Sequence, residues 1–208
     1  AGVPVLGVIP QLAQSELGGK GDDRARDMYV HENPKSSIAE YCRALRTNIL
    51  FSAADRELKT LVVCSANERE GKTTVVIYLG TAMAQSGQRT LLIDTDMRRP
   101  RLHKSLNVAL SPGLSNLLIG EEDYDALIKP TEVKDLFVLP CGPPPPNPAE
   151  LLLTKRFEHV LGELGKRFDR IILDSPPIQP VTDAVVLSKR VDGVVMVVRA
   201  SRTIRARR

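Results

Sequence analysis

The chain has 208 residues, 42% hydrophobic and 26% charged, which is typical of a soluble globular domain with a sizeable core. Only 4% of residues are aromatic and tryptophan is absent, so a base-stacking surface is disfavoured and no nucleic-acid partner is expected. The net charge of +4 reflects arginines crowded at the C-terminal end, where a solvated helix face or tail is a simpler interpretation than contact with nucleic acid or anionic lipid.

The N-terminal part of the chain is predicted to hold an arm, a loop and a helix. Residues 3–9 (VPVLGVI) favour a short strand or an extended arm. Residues 11–32 are polar and include a glycine-rich stretch, which is typical of a mobile loop. Residues 34–52 have apolar side chains at helical spacing after the possible caps Ser36 and Ser37.

From residue 58 onwards, short apolar strands alternate with helices. The predicted strands are 61–64, 90–93, 136–139, 170–173 and 193–198. The predicted helices are 72–85, 114–118, 149–166 and 181–190. This alternation predicts a mostly parallel sheet covered on both faces, an α/β fold with three layers, α/β/α. We expect one domain over 1–208, made of the arm and loop (1–33), a helix (34–53) and a nucleotide-binding core (58–208).

The cysteines and the apolar runs bear on location. Cys42, Cys64 and Cys141 are odd in number and lack metal-site spacing, which indicates a reducing compartment without disulfides. No apolar run approaches the about 20 residues of a membrane span, and no signal peptide is recognisable, so a cytosolic domain is expected.

Residues 66–73 (ANEREGKT) fit a phosphate-binding loop between a strand and a helix. Backbone N–H groups of such a loop cradle phosphates, and the helix dipole adds to the attraction. Lys72 would reach the β- and γ-phosphates, and the Thr73 hydroxyl would join a Mg²⁺ shell. The predicted nucleotide-binding residues are Asn67, Glu68, Arg69, Glu70, Gly71, Lys72, Thr73 and Thr74.

Two further segments place carboxylates at predicted strand ends. Asp94 and Asp96 follow the apolar run LLI, and Asp174 follows IIL. Ligands in open α/β sheets bind at the carboxyl ends of strands, where carboxylates suit Mg²⁺ ligation and general-base work. With the phosphate loop, they complete the groups that Mg-ATP chemistry requires.

These motifs resemble those of the bacterial protein-tyrosine kinases of capsular and exopolysaccharide export. The resemblance rests on residues 91–103 (LLIDTDMRRPRLH), 171–177 (IILDSPP) and the proline-rich loop 142–152. It also fits Asn67, which stands where division-site and plasmid-partition ATPases carry a signature lysine. The resemblance implies a P-loop fold and transfer of the ATP γ-phosphoryl to tyrosines. Lys72, Asp94 and Asp96 would be catalytic, with Asp94 accepting the tyrosyl proton, and Thr73, Asp96 and Asp174 would hold the metal.

The same resemblance implies an assembly. Glu40, Arg43 and Arg46 match the Glu-x-x-Arg-x-x-Arg motif of the family, which implies a homo-oligomeric ring such as an octamer. Further implied partners are a membrane polysaccharide copolymerase or activator segment, fused or separate, and a tyrosine phosphatase, at the inner (plasma) membrane. The family's tyrosine-rich tail is absent, and the four tyrosines, Tyr29, Tyr41, Tyr78 and Tyr124, are scattered. We therefore expect either a truncated C-terminal end or a divergent member without acceptor tyrosines.

Two alternatives to the kinase remain open. One is a non-kinase P-loop ATPase switch of the partition or division-site type, which would release phosphate without forming phosphotyrosine. The other is a structural subunit that binds nucleotide without chemistry. The missing signature lysine disfavours the first, and the full set of catalytic residue types disfavours the second.

Overall fold

A six-stranded sheet forms the centre of the computed structural model, which describes residues 3–13, 15–17, 22–53, 55–179 and 183–200. The strands are β1 (Thr60–Ser65), β2 (Thr90–Asp94), β3 (Lys129–Pro130), β4 (Leu136–Leu139), β5 (Arg170–Asp174) and β6 (Gly193–Val197). Their order across the sheet is β3-β4-β2-β5-β1-β6. Every pairing is parallel except that of β3 with β4, so the carboxyl ends of β2, β5 and β1 lie side by side.

Helices cover both faces of this sheet. They are α1 (Asp23–Glu32), α2 (Ser37–Phe51), α3 (Lys72–Ala84), α4 (Leu102–Ser105), α5 (Leu114–Leu118), α6 (Tyr124–Leu127), α7 (Pro148–Leu153), α8 (Lys155–Gly165) and α9 (Asp183–Ser188). Successive residues of β2 enter opposite cores: Leu91 and Ile93 belong to the core that contains Phe157 of α8, and Leu92 belongs to the core that contains Ile77 of α3. Strands that are apolar on both faces need two covering layers, and the predicted three-layer α/β/α fold is confirmed.

Helix α3 lies close to the sheet at Gly80. A Cβ atom added to Gly80 would lie 2.7 Å from Cδ2 of Leu92 and 3.1 Å from Cδ1 of Leu136. Because α3 begins at the phosphate loop, this close packing ties the position of the loop to the sheet.

The prediction of a mobile loop over 11–32 is wrong for its second half, where α1 forms. Asp22 caps this helix by accepting a hydrogen bond of 2.6 Å from the Ala25 amide. Asp27, Met28 and Val30 are buried. Burial against α3 stabilises a helix whose polar composition indicated a loop, since tertiary packing outweighs local preference. The glycine-rich residues 18–21 lie outside the described ranges.

Other elements differ from prediction in detail. Residues 3–9 form no strand, which leaves the arm of the two predicted alternatives, with Leu6 and Ile9 against the core. The helix predicted over 149–166 is two helices, because Thr154 adopts an extended conformation (φ −69°, ψ 152°) and caps α8 by accepting from the Phe157 amide. The short elements α4, α6 and β3 were not predicted. Residues 181–182, the predicted start of the last helix, lie outside the described ranges. Residues 201–208, which contain all but the first of the terminal arginines, also lie outside them.

The three cysteines are buried and free. None of the helices in the described ranges is both long and apolar enough to cross a bilayer.

Candidate functional site

The three predicted motifs meet at one edge of the sheet. Asp94 ends β2 and Asp174 ends β5, and these two residues are register partners in the parallel ladder. The phosphate loop follows β1, the other neighbour of β5. Strand order, which the sequence pattern does not specify, therefore places Asp174 between the loop and Asp94.

The phosphate loop turns sharply at two residues with positive φ. Arg69 has φ 61°, and Gly71, which precedes the first residue of α3, has φ 95°. The left-handed conformation is rare for residues with a Cβ atom, so glycine is required at the turn into the helix. Glu70 is buried, and its carboxylate accepts hydrogen bonds from the backbone N–H and the side-chain amide of Asn67, at 3.2 and 3.3 Å. Glu70 therefore stabilises the conformation of the loop through hydrogen bonds within it.

Asp174 lies against the start of α3. The Thr73 hydroxyl donates a hydrogen bond of 2.7 Å to Oδ2 of Asp174, and both residues are buried. Burial raises the pKa of Asp174 to about 6, although the charge of half-buried Lys72 and the Thr73 hydrogen bond act in the opposite direction. Oδ1 of Asp174 is buried and has no hydrogen-bond partner among the described residues.

Asp94 is held at the start of α4. Its Oδ2 accepts hydrogen bonds from the backbone N–H groups of Arg101 and Leu102, at 2.9 and 3.0 Å. Its Oδ1 is buried and unpartnered within the described ranges. Burial first, and then the negative charge of Asp174, raises the pKa of Asp94 well above its ordinary value. Two carboxylates this close together favour a bound cation or a shared proton.

Asp96 and the arginines after it line the opening of the site. Asp96 is half-buried and accepts a hydrogen bond of 3.0 Å from the Arg99 amide. The Arg99 side chain pairs with Glu68 of the phosphate loop, so the two loops meet across the opening. Arg98 Nε lies 3.4 Å from Oδ2 of Asp183, a fully buried residue of α9 that sequence reasoning missed.

Asp27 is the second buried acidic residue that sequence reasoning missed. It lies on α1, and its Oδ1 accepts a hydrogen bond of 2.6 Å from the hydroxyl of Thr74. The only signal in the sequence is Asp22, a residue type that caps helix starts. Of the predicted nucleotide-binding residues, Thr74 therefore faces α1.

The predicted assembly residues lie on α2, away from the strand ends. Arg43 donates to exposed Glu40 and, at 3.0 Å, to the backbone carbonyl of Pro34. Arg46 donates at 2.8 Å to the carbonyl of Ala82 in the last turn of α3. The arginines therefore make contacts within their own chain.

The chain is similar to a protein family and to several known proteins. The family described as AAA domain matches residues 59–203. The putative tyrosine-protein kinase CapB of Staphylococcus aureus is 42% identical over 175 residues, which are 84% of this chain and 77% of CapB. The tyrosine-protein kinase Wzc of Salmonella typhi is 35% identical over 167 residues, which are 80% of this chain but 23% of Wzc.

Among solved structures, the kinase domain of the Escherichia coli tyrosine kinase ETK superposes with a TM-score of 0.88 at 31% identity, covering 97% of this chain and 80% of that one. The septum site-determining protein MinD of Pyrococcus horikoshii, complexed with Mg-ADP, gives a TM-score of 0.57 at 22% identity over 67% of this chain and 57% of that one. The likeness to MinD shows the P-loop fold alone.

Proposed function

Because the chain belongs to the bacterial tyrosine-protein kinases of capsule and exopolysaccharide systems, we propose that it transfers the γ-phosphoryl group of ATP to tyrosine hydroxyls of neighbouring subunits. The observation that carries this proposal is the convergence of Thr73, Asp94 and Asp174 at adjoining strand ends beside the phosphate loop. Positioning and electrostatic stabilisation account for most of phosphoryl-transfer catalysis, and a preformed site of this kind supplies both.

The residues present fit a Mg²⁺–nucleotide complex. Oδ1 of Asp174 is buried without a partner in the described part of the chain, and the Thr73 hydroxyl lies beside the same carboxylate. Thr73, Asp96 and Asp174 would hold the ion, the two aspartates directly or through water. The described residues contain no cluster of three His, Cys, Asp or Glu side chains suited to a metal, which agrees with an ion that takes only one or two carboxylates and otherwise phosphate oxygens and water. When bound, Mg²⁺ would neutralise charge on the phosphates.

The remaining residues divide between binding and proton transfer. Residues 67–74 would bind the phosphates, mainly through backbone N–H groups at the start of α3. Lys72 would stabilise charge on the transferring group. Asp94 would accept the proton of the attacking tyrosine through Oδ1, since Oδ2 is held by two amides. This requires ionised Asp94, and a cation beside Asp174 would offset the like charge that raises the pKa of Asp94.

We further propose that copies of the chain assemble through Glu40, Arg43 and Arg46 into a ring such as an octamer, at the inner (plasma) membrane. The alignment supports a membrane activator segment either fused or separate, because the match spans most of CapB but only 23% of Wzc. A tyrosine phosphatase would reverse the modification.

The proposed ring is tested by changing both Arg43 and Arg46 to alanine, which should give monomers in sedimentation. A persisting oligomer would exclude the α2 face that carries these arginines.

The test is phosphotyrosine formation, measured by mass spectrometry after incubation with Mg-ATP and a synthetic glutamate–tyrosine copolymer as acceptor. We expect Lys72→Met to abolish transfer, because the loop loses its charge at the phosphates. Lys166→Met is the matched control, since this lysine is 71% exposed and lies in the segment that precedes β5, at the opposite edge of the sheet. Unchanged transfer by folded Lys72→Met protein would overturn the assignment. Phosphate release without phosphotyrosine would favour the ATPase switch.

A further inference from the structure

Asp27 is a fully buried carboxylate that belongs to none of the nucleotide motifs. Three side chains donate hydrogen bonds of 2.6 Å to it: the Thr74 hydroxyl to Oδ1, and the Arg101 guanidinium and Ser105 hydroxyl to Oδ2. A buried carboxylate is costly unless it is paired and hydrogen-bonded, and both Asp27 oxygens are satisfied. Asp27 and these three donors form a hydrogen-bonded junction between α1, α3 and α4.

The partners of Asp27 belong to the two halves of the candidate site. Thr74 lies in the first turn of α3, directly after Thr73, whose hydroxyl contacts Asp174. Arg101 uses its side chain for Asp27 and its backbone N–H for Oδ2 of Asp94. A single carboxylate on α1 therefore links the phosphate loop to the segment that orients the proposed base.

The chemistry of these bonds favours a fixed geometry. Hydrogen bonds to a charged acceptor are shorter and stronger than neutral ones, and a planar guanidinium limits the allowed directions. A threonine or serine hydroxyl in a helix otherwise bonds to a backbone carbonyl one turn earlier. The Thr74 and Ser105 hydroxyls are instead directed to the same carboxylate, which fixes their two helices relative to each other.

We propose that Asp27 is a positioning residue for phosphoryl transfer, which sets the distance between the phosphate loop and Asp94. This inference rests on the proposed function. Asparagine has nearly the same size as aspartate, but it has one acceptor oxygen for three donors and leaves the Arg101 charge unpaired. We expect Asp27→Asn to lower kcat for copolymer phosphorylation about 10- to 100-fold, because small displacements of reacting groups have effects of this order. The KM for ATP should change less than about twofold, because the backbone cradle of the loop stays intact.

Asp23→Asn is the matched control. Asp23 lies one turn earlier on α1 and reaches the same guanidinium at 3.7 Å, but its side chain is 67% exposed. The kcat of Asp23→Asn should equal that of the unchanged protein. Arg101→Gln and the double variant Asp27→Asn/Arg101→Gln complete a cycle. If Asp27 acts through Arg101, the double variant should be no slower than the slower single variant.

Hydrogen exchange tests the junction without relying on kinase activity. In nucleotide-free protein, the Arg101 and Leu102 amides should exchange slowly in the unchanged protein and in Asp23→Asn, and faster in Asp27→Asn. If the Arg101 and Leu102 amides exchanged equally slowly in Asp27→Asn, the junction would be overturned. This result would not depend on the proposed function, because it is obtained whether or not the protein forms phosphotyrosine. Faster exchange with unchanged kcat would overturn the positioning role. A fall in kcat that only matches the loss of folded protein, measured by thermal unfolding and active-site titration, would also overturn it.

Discussion

Asp174→Asn should make the metal-free protein more stable while abolishing its activity. Asparagine keeps the size of the side chain and an oxygen that can accept the Thr73 hydrogen bond, but it removes a buried negative charge. Burial raises the pKa of Asp174 to about 6 from an ordinary value of 3.8, so ionised Asp174 costs folding free energy. The substitution removes that cost. It also removes the negative charge that adds to the effect of burial in raising the pKa of Asp94.

The sign and size of the effect follow from the two pKa values. Below pH 3.8 the carboxyl is protonated in both the folded and the unfolded state, and it does not affect stability. As the pH rises from 3.8 to 6, the unfolded state ionises first and the folded state loses stability. Linkage gives a cost of about 3 kcal/mol at pH 8, where it is complete, and roughly half of that at pH 5.

The assay is urea denaturation in EDTA at pH 5 and pH 8. We expect the free energy of unfolding of Asp174→Asn to exceed that of the unchanged protein, with the larger gain at pH 8. Asp125→Asn is the control, because it removes the same charge from a side chain that is 90% exposed rather than buried. Adding Mg²⁺ and ADP should stabilise the unchanged protein but not Asp174→Asn. A variant that is destabilised equally at both pH values would refute the reasoning.

Three further predictions concern the loop, the core and the acceptor. Gly71→Ala should weaken binding of a fluorescent ADP analogue at least about tenfold, because φ 95° is strained for alanine and the loop must rearrange; unchanged affinity would contradict this. Phe157→Ala should lower the free energy of unfolding in urea by about 3–5 kcal/mol, because this fully buried ring joins α8 to the sheet; a loss below about 1 kcal/mol would show that the core closes around the gap. Any self-phosphorylation within the chain should be found by mass spectrometry at Tyr41, which is 46% exposed, and not at Tyr78, whose buried hydroxyl donates to the Arg26 carbonyl; phosphate on Tyr78 would require α1 to open.

Local patterns were sufficient to predict the main strands and the phosphate loop. The apolar runs before Asp94 and Asp174 are short and continuous, as strands buried on both faces must be, and a carboxylate directly after such a run lies at the strand end. That the two carboxylates are direct neighbours depends on β5 inserting between β2 and β1, a long-range arrangement absent from any local pattern. The break at Thr154 was missed because the helical periodicity continues across it and only the cap reveals it.

Helix α1 was missed for a different reason. Its stability depends on burying Met28 and Val30 and on partners of Asp27 that lie 47 to 78 residues away in sequence. A polar stretch after a glycine-rich segment indicates a loop when only its neighbours are considered. The Asp22 cap was the one local sign of a helix start.

Hydrogen bonding separates the buried carboxylates that can still bind a ligand or accept a proton from the one whose oxygens are both occupied. Both oxygens of Asp27 accept hydrogen bonds from protein side chains, so this residue has no acceptor left for a ligand without breaking the junction. Asp94 and Asp174 each have one oxygen bonded within the chain and one buried oxygen without a partner in the described part of the chain. Unsatisfied buried acceptors destabilise a fold unless a ligand uses them. Asp183 has the same pattern, but only Asp94 and Asp174 lie at the strand ends beside the phosphate loop. Asp94 and Asp174 are therefore the carboxylates suited to chemistry, and Asp27 is suited to holding them in place.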